Sequence, residues 1–247
     1  MKPIFEYLKD SLPISVYATN KDMGIAAADD ARNVIQKAIR ERNQANIIIA
    51  TGNSQITFLD ALSKLSQIDW NKVNIFHMDE YIGIDPDHPA SFPKFLHEKI
   101  IDIVKPHNFF PVPGNAENID EACKEYEKLL REFPADLCAL GIGENGHLAF
   151  NDPPFARFDD PNWVKVVYLS EASIRQQVGE GHFNSLDEVP KSAISLTIPA
   201  LLAAKRVLAI VPETRKAEIV YKTLTGPIDS NCPASILRNT SHSHLFL

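Results

Sequence analysis

Short apolar runs and longer amphipathic stretches alternate along the chain. Asn46–Ala50 reads Asn-Ile-Ile-Ile-Ala, a β-branched run without the every-other-residue polarity of a half-exposed strand. Such a run predicts a strand covered on both faces, as in a parallel sheet. Val73–Met78, Asp136–Ile142, Trp163–Leu169 and Arg206–Val211 read the same way. Between them, Ala28, Ala31, Ile35, Ala38 and Ile39 share one face of a helix predicted across about 24–42. Ala122, Tyr126, Leu129, Leu130 and Phe133 do the same across about 119–133. This order predicts one α/β domain spanning residues 1–247, built on a single doubly wound, mostly parallel, Rossmann-like sheet with helices on both faces. No internal repeat, low-complexity tract or linker interrupts it.

Composition narrows the partner. The 247 residues carry 25 Lys+Arg against 32 Asp+Glu, a formal net charge of −7. That balance excludes non-specific nucleic-acid binding, which needs a dense basic face. It leaves room for a small anionic ligand in a locally positive pocket. Cys123, Cys138 and Cys232 have no C-x-x-C spacing, so a zinc ribbon, a redox motif and a disulfide framework are all set aside. The N-terminal residues lack the apolar core of a signal peptide, and the apolar stretch Ile194–Val211 is broken by Pro199 and Lys205-Arg206. A soluble cytoplasmic protein with no membrane partner is the expectation.

In open α/β sheets ligands bind where loops leave the carboxyl ends of strands, and four such loops carry chemistry. Thr51-Gly52-Asn53-Ser54 joins a strand to a helix near Gln55; a tight glycine turn with free helix N–H groups suits a phosphate, and a plain N-capping turn is the alternative. His77-Met78-Asp79-Glu80-Tyr81 follows the next strand. Its adjacent carboxylates cannot both enter one pocket, so one reaches the ligand as a general base and the other is structural, unless both belong to a solvated acidic turn. Gly141–Pro153 places His147 between Asn145 and Asp152; a carboxylate on one ring nitrogen fixes the tautomer and makes an acid–base unit, while a packed histidine satisfied by backbone is the alternative. No nucleophile elbow and no second histidine for a zinc pair is present there. Finally, Pro212 and Glu213 suit a first helical turn, with Lys216 about one turn in, facing either an anion or solvent.

The four loops, in this order, resemble the glucosamine-6-phosphate deaminase (isomerase) family, which shares its fold with the 6-phosphogluconolactonases. Thr51–Ser54 matches T-G-x-[ST], Met78–Gly83 matches [ML]-D-E-[YW]-x-G, and His88–Ser91 resembles H-P-x-S. Gly141–Pro153 matches G-[IV]-G-x-[ND]-G-H-[IL]-[AG]-F-N-[ED]-P at every position, and Val189–Lys191, Lys216-Ala217 and Pro233–Ser235 match the later V-P-K, K-A and P-A-S. Lactonases carry G-H-T-A-S-L-F-P in the histidine loop, whereas Gly146–Asn151 reads Gly-His-Leu-Ala-Phe-Asn, which favours the deaminase branch.

The resemblance implies conversion of glucosamine 6-phosphate and water to fructose 6-phosphate and ammonia, with no metal or other cofactor. His147, oriented by Asn145 and Asp152, would assist ring opening; Asp79 would move a proton from C2 to C1; Thr51, Gly52, Asn53, Ser54 and Lys216 would hold the phosphate. The partner is a small phosphorylated amino sugar, and a homo-oligomer is compatible with the sequence. Four positions depart from the family pattern. Asp152 stands where Glu is frequent, Asn145 where some relatives have Asp, and Gln55 where Pro is usual. Glu180-Gly181-His182-Phe183 occupies the segment where an Arg meets the phosphate, leaving Arg175 as the nearest guanidinium in sequence. The alternatives are a lactone hydrolase on the same fold and a non-catalytic sugar-phosphate sensor.

Overall fold

Asn46, Asn74 and Asn108 stand side by side across three neighbouring strands, each amide bonded to the next at 2.9 Å, and the first also donates to Pro134 O at 3.1 Å. This polar ladder fixes the register of strands whose remaining side chains are almost wholly apolar. In the computed structural model, which describes residues 1–153 and 155–247, the strands are β1 (Phe5–Lys9), β2 (Leu12–Val16), β3 (Ala45–Ile49), β4 (Val73–His77), β5 (Asp79–Tyr81), β6 (Asn108–Phe110), β7 (Leu137–Leu140), β8 (Val164–Tyr168), β9 (Ser192–Leu196), β10 (Arg206–Ile210) and β11 (Ser243–Phe246).

The main sheet runs β1-β2-β11-β10-β7-β3-β4-β6, parallel except for the β1–β2 hairpin. Every residue of β3, β4 and β7 is buried, because both sheet faces are covered. Ile48, Cys138 and Val207 enter one core, where the helix Ile119–Glu132 packs through Tyr126 and Leu130. Ile47, Ile49 and Leu208 enter the other, under the alanine-rich face of the helix Asn20–Arg42 and under Phe58 and Leu62 of the helix Ile56–Ser63. Each fully buried Ile contributes about 1.5–3 kcal/mol relative to exposure. Thr19 caps the long helix by accepting from Asp22 N at 3.1 Å, and Asn43 ends it in the left-handed region at φ 60°.

Four of the five strands expected from the sequence lie in this sheet. Trp163–Leu169 does not, and corrects the single-sheet expectation. Its core, β8, belongs to a small antiparallel sheet in the order β5-β9-β8. Lys165 interrupts its apolar run and Tyr168 is exposed, as befits an edge strand covered on one side.

The topology defines the place of the site. From β3 the chain proceeds outward through β4 to β6; from β7 it later returns to β10 and β11 on the other side. The adjacent carboxyl ends of β3 and β7 are therefore the switch point, where the two following loops diverge and leave a crevice. No helix among the described residues is long and apolar enough to cross a membrane.

Candidate active site

One pocket sits over that crevice, and Thr51, Gly52, Asn53, Ser54, Asp79, His147 and Lys216 all line it. Asn145 and Asp152 stand behind His147, outside the lining.

The loop after β3 turns at Gly52, whose φ of 93° and ψ of 171° are accessible to glycine and strained for any side chain. The turn leads into a 3-10 segment, Asn53–Gln55, and then the helix Ile56–Ser63, so Asn53 and Ser54 line the pocket at the N-terminal end of a helix, where backbone N–H groups lack intrahelical partners. Lys216 approaches from the loop after β10. Pro212 and Glu213 do not form a first helical turn, which corrects that expectation. Glu213 instead takes φ 87°, and the helix starts as a 3-10 turn at Thr214–Lys216 before continuing as Ala217–Thr225. Lys216 is 3% exposed, and among the described residues its ammonium has no hydrogen-bond or ion-pair partner. Burial pushes its pKa down, partly countered by the nearby carboxylates of Glu180, Glu144 and Glu213.

The two carboxylates after β4 face different surroundings. The chain passes from the main sheet at His77 into the small sheet at Asp79, with Met78 as the hinge. Asp79 borders the pocket. Burial, reinforced by repulsion from Glu80, raises its pKa to about 8. Glu80 points away and accepts from Ser91 Oγ, Phe92 N and its neighbour Tyr81 N, pinning the segment that follows. His77 is fully buried, accepts from Val112 N at 2.7 Å and is held neutral by burial, so it serves packing.

His147 is held from behind by a closed network. Asn145 donates through Nδ2 to Asp152 Oδ1 at 2.8 Å, which turns its carbonyl oxygen toward His147, where it lies 2.8 Å from Nδ1 and 3.1 Å from the backbone N. Asp152 Oδ1 lies 3.1 Å from Nδ1. With acceptors grouped around Nδ1, the proton sits there and Nε2 offers its lone pair to the pocket. Asp152 also accepts from Ser173 Oγ at 2.6 and 2.8 Å and from Ser170 N at 3.1 Å, at the start of the helix Glu171–Gly179. Burial would raise the Asp152 pKa, but His147, Asn145 and Ser173 together drive it well below the usual carboxylate range. The shorter side chain therefore reaches the imidazole directly, without a bridging water. Gly143 lies against the ring: a Cβ there would come within 2.1 Å of His147 Cε1.

The two halves share a backbone scaffold. Leu196 N donates to Met78 O at 2.8 Å, and Asp79 pairs with Ser195 across β5 and β9. From the other side, Phe150 N donates to Ser195 Oγ at 3.1 Å and Asn151 Nδ2 to Leu196 O at 2.8 Å. Strand β9 thus sets the position of the histidine loop relative to Asp79. The P-A-S turn has a similar task, since Ala234 N donates to Gly146 O at 2.8 Å.

Arg175 is not a substitute anion ligand. Its side chain is 68% exposed, pairs with Glu171 and lies outside the pocket lining. Residues that sequence reasoning did not single out are Ser173, Gln176, Gln177 and Arg215. All but Ser173 border the pocket, and all but Arg215 belong to the helix Glu171–Gly179. Ser170-x-x-Ser173 is a legible capping pattern, yet nothing local says that this helix start receives Asp152. Among the described residues no group of three His, Cys, Asp or Glu side chains is arranged to hold a metal ion.

The turn after β3, the buried Lys216, the carboxylate-backed His147 and the buried Asp79 share one pocket at the switch point of a doubly wound α/β sheet. Residues 18–246 match the family model of glucosamine-6-phosphate isomerases/6-phosphogluconolactonases, and the chain belongs to that family. It is 33% identical over 224 residues to the glucosamine-6-phosphate deaminase of Exiguobacterium sibiricum, covering 88% of this chain and 86% of the relative. The solved structure of a monomeric glucosamine-6-phosphate deaminase is 29% identical, with a TM-score of 0.84 over 94% of this chain and 95% of that one. A 6-phosphogluconolactonase from Shewanella baltica reaches a TM-score of 0.74 at 17% identity over 94% and 95% of the two chains, a likeness of fold alone.

Proposed function

We propose that the protein is a glucosamine-6-phosphate deaminase, converting the amino-sugar phosphate and water to fructose 6-phosphate and ammonia. The observation that carries this reading is the presence of two separate proton-handling groups in one pocket, His147 and Asp79. Opening a lactone needs an activated water at one carbon; an aldose-to-ketose isomerisation with loss of the amine also needs a base for a carbon-bound proton.

In this reading the phosphate rests on the Thr51–Ser54 amides and Lys216. The lone pair of His147 Nε2 takes the proton of the anomeric hydroxyl and returns one to the ring oxygen, opening the ring. Asp79 then removes the C2 proton and C1 receives it, leaving an imine at C2. Water adds at that carbon and ammonia departs, so the sum balances without an outside oxidant or reductant. The substrate's ammonium, seated beside Asp79, favours the ionised carboxylate that burial alone opposes. The family likeness and the deaminase relatives support the same substrate class.

The test is incubation of purified protein with glucosamine 6-phosphate, galactosamine 6-phosphate and 6-phosphogluconolactone. Ammonia together with fructose 6-phosphate from the first is the expected result. Accelerated lactone opening alone would make the protein a hydrolase, and binding without turnover would make it a sensor.

A further inference from the structure

Arg215 precedes Lys216 in the same 3-10 turn and borders the same pocket. Its three guanidinium nitrogens meet three carboxylates from three segments. Nε lies 2.9 Å from Glu213 Oε2, Nη1 2.7 Å from Glu144 Oε1 and Nη2 2.9 Å from Glu180 Oε1. Glu180 is almost fully buried and receives a second bond from Gln176 Nε2 at 2.8 Å, while His182 Nε2 stands 3.4 Å from its other oxygen. Gln176 in turn accepts from Glu144 N at 3.0 Å, closing the ring of contacts. A guanidinium has five N–H groups, so three contacts leave two donors unclaimed in a side chain whose plane is already fixed.

We propose that Arg215 is a second cationic anchor for the ligand's phosphate, with Glu180 as the residue that positions it. The inference rests on the reading of this pocket as a sugar-phosphate site and names a ligand group which that reading lacks.

The local balance of charge carries it. Arg215 and Lys216 are consecutive in one turn, and Glu213, Glu144 and Glu180 all bond to Arg215, so these charges gather at one side of the pocket. That cluster holds two cations and three carboxylates, and a phosphate is therefore not drawn in by net charge. It must be recognised by oriented donors, which is what a guanidinium locked in place provides and a free lysine does not. Glu180 and Glu144 then have opposite effects. Glu180, buried and bonded twice, holds the fork in position; Glu144, half-exposed and outside the pocket lining, adds negative charge beside the guanidinium and competes for one N–H.

The experiment is calorimetric titration of the full-length protein with inorganic phosphate, paired with glucosamine 6-phosphate kinetics. Arg215→Ala is expected to weaken phosphate at least roughly tenfold and to raise KM by a similar factor, with kcat changed less than about threefold. Arg215→Lys, which restores charge without the fork, recovers part of that loss. Glu180→Gln weakens phosphate binding, whereas Glu144→Gln tightens it roughly two- to fivefold by removing one nearby negative charge. Wild-type phosphate affinity in both Arg215 variants overturns the anchor. Tighter binding in Glu180→Gln overturns its positioning role, and weaker binding in Glu144→Gln overturns the division between the two carboxylates. Because phosphate binding is read without turnover, a wild-type protein that binds phosphate yet releases no ammonia counts against the deaminase reading and not against this one.

Discussion

His147 Nδ1 and Asp152 Oδ1 stand 3.1 Å apart, a direct contact made by a carboxylate one methylene shorter than glutamate. The distance is closed from the far side. Ser170 N and Ser173 Oγ, at the first turn of the helix Glu171–Gly179, hold Asp152 against the histidine loop. The same helix carries Gln176, Gln177 and, at its end, Glu180 into the pocket wall, so the support of the imidazole and the shape of the ligand site depend on one element.

Replacing Asp152 by Asn keeps the shape and removes the charge that stabilises an imidazolium at His147. We expect kcat to fall roughly hundredfold or more, since about 2.7 kcal/mol of lost stabilisation is two decades, with KM little changed. The pH dependence of stability gives a second readout. The native Asp152 pKa lies below the ordinary 3.8, so the unfolded chain binds the extra proton first as pH falls. Its stabilisation is complete above about pH 4 and is lost on acidification below it. Thermal unfolding of Asp152→Asn should therefore show a shallower acid limb than wild type; identical limbs would remove Asp152 as the source.

Asp79 has the opposite sign. The native carboxyl keeps its proton up to about 8, while the unfolded chain releases it near 3.8. Between those values the unfolded state binds fewer protons, and stability falls with rising pH by about 1.4 kcal/mol per unit for such a group. Asp79→Asn abolishes this slope along with the proposed base. The expected variant is inactive, binds phosphate as wild type does, and melts at a higher temperature than wild type at pH 8 to 9. An active variant would falsify the base assignment. In wild-type protein kcat/KM for the deamination should climb as pH approaches 8, where the free carboxyl ionises.

The parts of the site that were legible in the sequence sit on loops whose chemistry is local. Thr51–Ser54, Asp79 and Gly141–Pro153 each follow an apolar run, and strand ends in a doubly wound sheet converge whatever the details of packing. Asn145 and Asp152 lie within five residues of His147, so they stood out as its candidate partners, although Ser170 and Ser173, which close the Asp152 contact, come from further along the chain. What escaped was set by pairing across long sequence distances. Strand β5 is three residues long and gains its identity from β9, more than a hundred positions away. Val164–Tyr168 resembles the buried strands except at Lys165, and it is an edge strand because only β9 takes it up. Arg215 and Ser173 are ordinary surface-helix residues by local pattern; only the fold brings one to Glu180 and the other to Asp152.

Gly143 tests the tight seat of the imidazole. A Cβ at this position would approach His147 Cε1, Nε2 and Cδ2 at 2.1, 2.2 and 2.4 Å, far inside van der Waals contact. The ring cannot retreat without leaving Asn145 and Asp152, whose bonds to Nδ1 define its tautomer. Gly143→Ala is expected to retain the fold, because the three atoms nearest the intruding methyl all belong to the His147 ring, while deamination drops by roughly two orders of magnitude, equivalent to about 2.7 kcal/mol. Circular dichroism and the rate together decide this; wild-type kinetics in the variant would show that the ring is not confined.

Lys216 offers a test of the anion cradle that does not depend on catalysis. Its side chain is largely buried against the pocket, its ammonium has no partner among the described residues, and its pKa is lowered chiefly by burial. A phosphate placed against it supplies the missing counter-charge and pushes the pKa back up. Binding should then take up protons at pH values below those at which an ordinary lysine, near about 10.4, titrates, and phosphate affinity should begin to fall at a lower pH than such a lysine would allow. Calorimetry in buffers of different ionisation enthalpy measures the uptake directly. Lys216→Ala removes both the uptake and roughly ten- to hundredfold in phosphate affinity, the usual range for a hydrogen bond to a charged group. Unchanged proton uptake in that variant would place the titrating group elsewhere in the pocket.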